Sequence, residues 1–334
     1  MIRKNLISLT LGSFIGIILL AVWLYFNPIQ EILAHFATAN YKWVIVASLV
    51  YLSAYFLRAC RWRLLIPSSA NPGMWTTWLY AMGGNWVNYL IPIRAGDVVR
   101  AWFLKRFHHV PMLKALPSVF IDKAFDTIAI AFIIIIIPFS AIQISVPVMI
   151  LLGLLLLVFL FTLFLLFFAA WHKDLVIRII QFLLAWLPRK FRAKVNMGVE
   201  VFVVELNIFE HHPLKILFAL LLTALGILLD GLYFFLLFKA FGVPYSFPLA
   251  LLGYTLINLS YALPQPPAQL GSNEWMMIIV FSVGFGLTKS TASAIMAFAH
   301  ILTAALMTFW GGIAFFILGP EALSKVFKGE KLED

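Results

Sequence analysis

This chain has little charge, few acids and a single cysteine. Charged residues make up 11% of its 334 residues, where a soluble globular domain carries roughly 25%. A surface so poor in charge excludes an ordinary soluble domain. Cys60 stands alone, which rules out an internal disulfide and a cysteine-based metal cluster, and it reads as a small apolar packing residue. Catalytic signatures are missing too. There is no His-Glu-x-x-His, no Gly-x-Ser-x-Gly and no phosphate-binding glycine loop. The pairs His108-His109 and His211-His212 are adjacent, so each pair diverges on a helix, and His35 offers no convincing third ligand. No cofactor, no metal and no enzymatic activity are expected.

What is abundant is apolar sequence: 63% hydrophobic, 16% aromatic, with a mean hydropathy of +1.00. Since a spanning helix needs about 20 apolar residues, six full spans are expected, near 6–26, 43–65, 127–145, 147–170, 214–239 and 290–318. The first follows Met1-Ile-Arg-Lys4, is longer than a signal-peptide core and lacks a small-x-small cleavage site, so it reads as a retained span. The net charge of +10 points to the anionic membrane surface rather than to nucleic acid.

Two polar breaks interrupt this apolar sequence. The first runs from Asn88 through Pro92 and Arg94 to Gly96 and Asp97; the second runs from Asn258 through Pro264, Pro266 and Pro267 to Gly271 and Glu274. Both read Asn, Pro, Gly, acid. Hydrocarbon tolerates irregular backbone and ionised groups only where protein or a water-filled cavity satisfies them, so the two breaks mark a polar site inside the bilayer.

Charge distribution gives these breaks a topology. Arg58, Arg61 and Arg63 end one span, and Arg94, Arg100, Lys105 and Arg106 follow the first broken segment, so that segment leaves and returns to one face as a re-entrant hairpin. The second break returns through Trp275 to Phe285, too short to cross at about 1.5 Å per residue, and forms a second hairpin. Three spans separate the hairpins, which places them on opposite faces. The expected architecture is therefore all-α and polytopic, with six spans and two hairpins in an inverted-topology repeat. Residues 1–334 form one membrane domain with halves 1–145 and 146–320, an amphipathic cytoplasmic linker or solvated loop at 172–213, and a polar tail at 321–334. With both termini cytoplasmic, all but three of the 24 Lys and Arg (Lys42, Lys239 and Lys289) lie inside.

Several residues are candidates for a site. Arg94 and Arg100 suit a phosphate, because the guanidinium fork matches its oxygens; the alternative is an Asp97 ion pair with either that closes the hairpin. Glu274 starts the return half-helix, where it can either cap that helix or carry a coupling proton. Asp230 lies inside a span with no basic residue one turn away, so it is functional or is hydrogen-bonded to another helix. Asp122, Lys123 and Asp126 read as an interfacial anchor, and His300 as a packed, hydrogen-bonded histidine.

Arg58-x-x-Arg61-Trp62, Asn88-x-x-x-Pro92-x-Arg94-Ala95-Gly96-Asp97-x-x-Arg100, and Leu263-Pro264 to Gly271 with Glu274 together resemble the integral membrane family typified by the flippase region of lysylphosphatidylglycerol synthases. The resemblance covers essentially the whole chain. It implies a lipid flippase-like module that moves an amphiphile with an anionic or sugar-bearing head group between leaflets. Arg58, Arg61, Asn88, Arg94, Gly96, Arg100, Pro264, Gly271 and Glu274 fall on the family pattern. Asp97 stands where the family usually has Glu, and Pro267-Ala268-Gln269-Leu270 replaces a Pro-Gly-Gly-like run. No soluble transferase domain follows the last span in this sequence, so lysine transfer is not expected. The expected substrate-binding set is Arg58, Arg61, Asn88, Arg94, Asp97, Arg100, Asp230, Asn258 and Glu274, with Pro92, Gly96, Pro264 and Gly271 shaping the hairpins. Anionic membrane lipids are the expected partners, with a second copy of the chain or envelope-biogenesis components as open protein partners. The expected location is the cell membrane. Alternatives are a membrane-embedded transferase acting on a lipid-linked substrate and a non-transporting envelope-biogenesis subunit.

Overall fold

Apolar residues face outward from this molecule as densely as they face inward. On the helix Tyr41–Leu65, the exposed residues Tyr41, Ile45, Leu49 and Phe56 recur at helical spacing, and on Pro213–Ala240 the exposed set is Leu214, Leu217, Phe218, Leu221, Leu225 and Leu228. A helix that is apolar all round is buried in protein on one side and in lipid on the other. The computed structural model describes residues 2–91, 95–136, 212–260 and 265–319, with scattered positions between 150 and 179.

Ten helices and no strand appear among the described residues. The chain begins with α1 (Ile2–Phe26) and α2 (Ile29–Thr38), bent by 79° at Asn27-Pro28. Pro28 lacks the N–H that would continue the ladder. Asn27 holds the corner by donating to Trp23 O (2.8 Å) and accepting from Ser293 Oγ (2.7 Å). His35 sits on this short helix.

From there the order runs long, short, short, long, twice. The first set is α3 (Tyr41–Leu65), α4 (Met74–Leu90), α5 (Ala95–His108) and α6 (Met112–Ile136). The second is α7 (Pro213–Ala240), α8 (Phe247–Ser260), α9 (Ser272–Met277, continuing as a π-helical stretch, Ile278–Gly284) and α10 (Lys289–Leu318). The second short arm of each set closes the same way. At the end of α5 the left-handed residue is His109 (φ 56°), with Val110 N–H donating to Leu104 O; after α9 it is Gly286 (φ 74°), with Leu287 N–H donating to Phe281 O. This arrangement satisfies carbonyls that a helix end leaves bare.

Helices α3 and α7 pack along their lengths, joined at one end by the Asn40 N–H bond to Ala240 O (2.8 Å). An aromatic core of Trp62, Tyr80, Phe103, Phe234, Phe238 and Phe281 fills the space between both sets. α4 and α5 form an antiparallel hairpin tight enough that a Cβ on Gly96 would strike the Gly84 backbone. Only a residue without a side chain allows that approach.

Three described helices, α3, α7 and α10, are long and apolar enough to cross a membrane, and the bent α1–α2 pair counts as a fourth. They match the expected spans at 43–65, 214–239, 290–318 and 6–26. The expected start at 127 is corrected: α6 begins at Met112 and carries Asp122, Lys123 and Asp126 within the helix, because ion pairs neutralise charges that the hydropathy pattern placed at its edge. Most of the span 147–170 and of the linker 172–213, and the whole tail 321–334, lie outside the described residues.

Candidate functional site

Two polar clusters occupy the interior. The first is built on α3, where Arg58 and Arg61 are three residues apart and so share a face. Arg61 is 2% exposed. Its Nε donates to Asp122 Oδ1 (2.8 Å), Nη2 donates to Asp122 O (3.0 Å) and Asp126 Oδ1 (2.6 Å), and Nη1 donates to Thr223 Oγ1 (3.1 Å). Arg100, from α5, donates Nη2 to the other Asp122 oxygen at 2.8 Å. One buried carboxylate thus bridges two arginines from different helices. The Arg100 guanidinium also lies 4.1 Å from the centre of the Trp62 ring, a cation–π contact on its otherwise unbonded side. Arg58 is ion-paired with Asp230 of α7, and its Nε lies 4.0 Å from Asp126.

The cluster changes several expectations. Asp122 is no interfacial anchor: it is buried and doubly paired. Asp97 does not pair with Arg100. Instead Asn88 closes the first hairpin with both ends of its amide, Nδ2 donating to Asp97 Oδ1 (3.0 Å) and Oδ1 accepting from Gly96 N–H (2.7 Å). A carboxylate beside an amide donor, in the first turn of α5, needs no arginine. Arg61 and Arg100 already have carboxylate partners, so the structure does not present them as empty phosphate forks. Arg58, 26% exposed, is the arginine that opens outward, at a narrow cleft lined by Arg61, Asp126, Thr223 and Gly226. Pro92, Arg94 and Pro264 lie outside the described residues.

The second cluster forms where the two breaks meet. His300, on α10, places Nδ1 2.5 Å from Glu274 Oε1, and Nε2 2.7 Å from Ala268 O and 3.0 Å from the Tyr89 hydroxyl. Tyr89 adjoins Asn88 at the end of α4, whereas Ala268 and Glu274 belong to the second break. One imidazole thereby ties the first hairpin to the second. Glu274 and His300 are both buried, and Glu274 Oε2 and Asn273 Oδ1 are buried without a hydrogen-bond partner.

The second break is strained at two neighbouring residues. Ala268 and Gln269 have φ of 52° and 57°, left-handed values that glycine adopts freely and other residues adopt at a cost. Gly271 (φ +75°) has no room for a Cβ against Leu19 and Leu20 of α1. Trp275 Nε1 donates to Leu19 O at 3.0 Å, so α1 covers this turn. Glu274 is bonded to His300 rather than merely capping. Neither cluster contains Asn258, which sits half-buried near the end of α8.

Sequence reasoning did not assign Asp122, Asp126, Thr223 or Tyr89 to the site. A signal existed for the two acids, which share a face at i, i+4 in an otherwise apolar helix. None existed for Tyr89 or Thr223, whose residue types are ordinary in such helices. Among the described residues no three His, Cys, Asp or Glu side chains converge as a metal site.

An all-helical, lipid-facing molecule with two short helical hairpins and buried ion pairs is a polytopic membrane protein. The chain belongs to the family described as the lysylphosphatidylglycerol synthase TM region, whose profile matches residues 6–311. It is 23% identical to a UPF0104 membrane protein of Methanocaldococcus jannaschii, over 96% of each chain, and 23% identical to one of Methanothermobacter thermautotrophicus, over 89% of each. It is also 27% identical, over 37% of its own length and 20% of the other's, to the glycosyltransferase AglD of Haloferax volcanii. No solved structure matches significantly.

Proposed function

We propose that this protein moves a phospholipid or lipid-linked amphiphile with an anionic or sugar-bearing head group between membrane leaflets. The observation that carries the reading is the meeting of the two hairpin breaks at a buried polar cluster inside a lipid-facing helix bundle. Irregular backbone at membrane depth is tolerated where it lines a site, and a site between two related halves can open to either face as the halves rock. In this reading residues 1–145 and 146–320 are inverted halves, both termini face the cytoplasm, and the hairpins are re-entrant. Arg58, at the mouth of its cleft, meets the head-group phosphate, while acyl chains stay in lipid. The family's name supports a phospholipid, since lysylphosphatidylglycerol is one.

A membrane-embedded transferase on a lipid-linked substrate is the second reading, favoured by the likeness to a glycosyltransferase. Purified protein in liposomes carrying a trace of fluorescent phospholipid separates the two. A quencher added outside should reach label from both leaflets, and Arg58→Ala or Glu274→Gln should restore protection of the inner half while the protein stays folded. A covalent lipid product in place of movement would establish the transferase.

A further inference from the structure

Chemistry fixes the number of protons in the chain Glu274, His300, Tyr89 and Ala268 O. A carbonyl only accepts, so the His300 Nε2 that lies 2.7 Å from Ala268 O carries a hydrogen. On the other side of the ring, Nδ1 and Glu274 Oε1 are 2.5 Å apart, so one further proton sits between them. Whether it is written on the imidazole or the carboxyl, the pair holds it jointly and is neutral overall. Remove that proton and the imidazole keeps one hydrogen for two faces. Beside an ionised Glu274 that hydrogen belongs on Nδ1, because a bare Nδ1 would leave two acceptors facing each other. Nε2 is then bare and is repelled by the Ala268 carbonyl. A donor for it already stands 3.0 Å away, the Tyr89 hydroxyl.

We propose that Glu274 and His300 form a proton-binding site whose occupancy decides which hairpin His300 holds. Loaded, Nε2–H donates to Ala268 O in the second break. Empty, Nε2 accepts from Tyr89 at the end of α4. A proton taken up and released by this pair can couple lipid movement to a proton gradient; that last step rests on the flippase reading, the switch itself does not. Elsewhere α10 meets its neighbours through aromatic and neutral groups, Phe36 of α2 and Phe241 just past α7 against Phe298, Trp78 of α4 against Trp310 and Asn27 against Ser293. Among the described residues its one charged contact there is Lys289, in its first turn, over the Phe26 ring of α1. Among the described residues, the titratable groups bonded to His300 are Glu274 and Tyr89.

The test is nitrogen NMR of protein labelled with 15N-histidine, in liposomes from about pH 5 to pH 8, with the His300 signals assigned by their loss in His300→Gln. In the wild type Nε2 should pass in one step from N–H to bare nitrogen. Tyr89→Phe removes the donor that stabilises the empty state, so the step should move to higher pH by on the order of one unit, the size of one hydrogen bond's preference. An Nε2 that keeps its hydrogen across the range, or a midpoint unmoved in Tyr89→Phe, overturns the proposal. The same vesicles with an imposed pH gradient read out coupling. Gradient-driven lipid movement that is lost in Glu274→Gln supports it, and movement indifferent to the gradient removes the coupling while leaving the flippase reading. A His300 step without any lipid movement leaves the proton site and removes the flippase reading.

Discussion

The two interior clusters use buried charge in opposite ways. Around Arg61 each carboxylate is matched to arginine: Asp122 bridges Arg61 and Arg100, Asp126 takes a second bond from Arg61, and Asp230 takes Arg58, with Arg100 Nε the one guanidinium nitrogen left buried and unbonded among the described residues. Around His300 one imidazole meets a carboxylate, a backbone carbonyl and a hydroxyl, two acceptors beside it lack partners, and the turn it touches is left-handed. The first arrangement joins α3, α5, α6 and α7 through charge pairs between different helices, so it ties them to one another. The second has one donor, the Tyr89 hydroxyl, and one acceptor, Ala268 O, competing for one imidazole nitrogen, so it can change.

The sharpest way to break this comparison is to remove one carboxylate from each cluster. Asp122→Ala leaves Arg100, 3% exposed, without its carboxylate and takes one of two carboxylates from Arg61, and should cost about 3–5 kcal/mol of stability. Glu274→Gln leaves no unpaired charge, because the pair it replaces is neutral, and should cost on the order of 1 kcal/mol. Thermal unfolding in detergent reads both. If the two losses are equal, the division between a fixed and a changeable cluster fails.

Packing at the first hairpin offers the next effect. Gly96→Ala places a methyl into the Gly84 backbone, and overpacking of this kind typically costs about 1–3 kcal/mol. It also pushes apart the Asn88 amide that closes the hairpin. Gly226→Ala, where a Cβ meets nothing within 4 Å, is the matched control and should be neutral or slightly stabilising, since alanine is the better helix former. A Gly96→Ala protein as stable as the control would mean that α4 and α5 separate readily.

Hydropathy alone made the long helices legible, because α3, α7 and α10 need only length and apolar composition, and these bounds came within two residues of the observed ones. The hairpins were legible as breaks, since Pro, Gly and Asn inside apolar sequence have few other uses. Pairings were not. Nothing in the sequence around Asp230 points to Arg58, 172 residues away, or around Glu274 to His300 on the next helix. The same blindness misplaced the start of α6: a charge looks excluded from hydrocarbon until its partner is known. Ala268 and Gln269 illustrate a middle case. Their departure from a glycine-rich pattern was visible, while its consequence, two left-handed non-glycine residues, needed the backbone.

That strained turn supplies the smallest and most local prediction. Ala268→Gly should raise stability by about 1 kcal/mol, because glycine adopts a φ of 52° without the clash that alanine suffers. The carbonyl that His300 engages belongs to this residue and survives the substitution. His109→Gly, at the left-handed end of α5 and away from both clusters, relieves the same kind of strain and should gain a similar amount. The two variants part company in function. Strain at Ala268 disfavours the state in which that turn is held against His300, so relieving it should hold Nε2 on the carbonyl and move the His300 titration step upward, whereas His109→Gly should leave the step in place. Equal behaviour of the two would show that the turn's conformation contributes only to stability and that the choice between hairpins is made by Tyr89 and Glu274 alone.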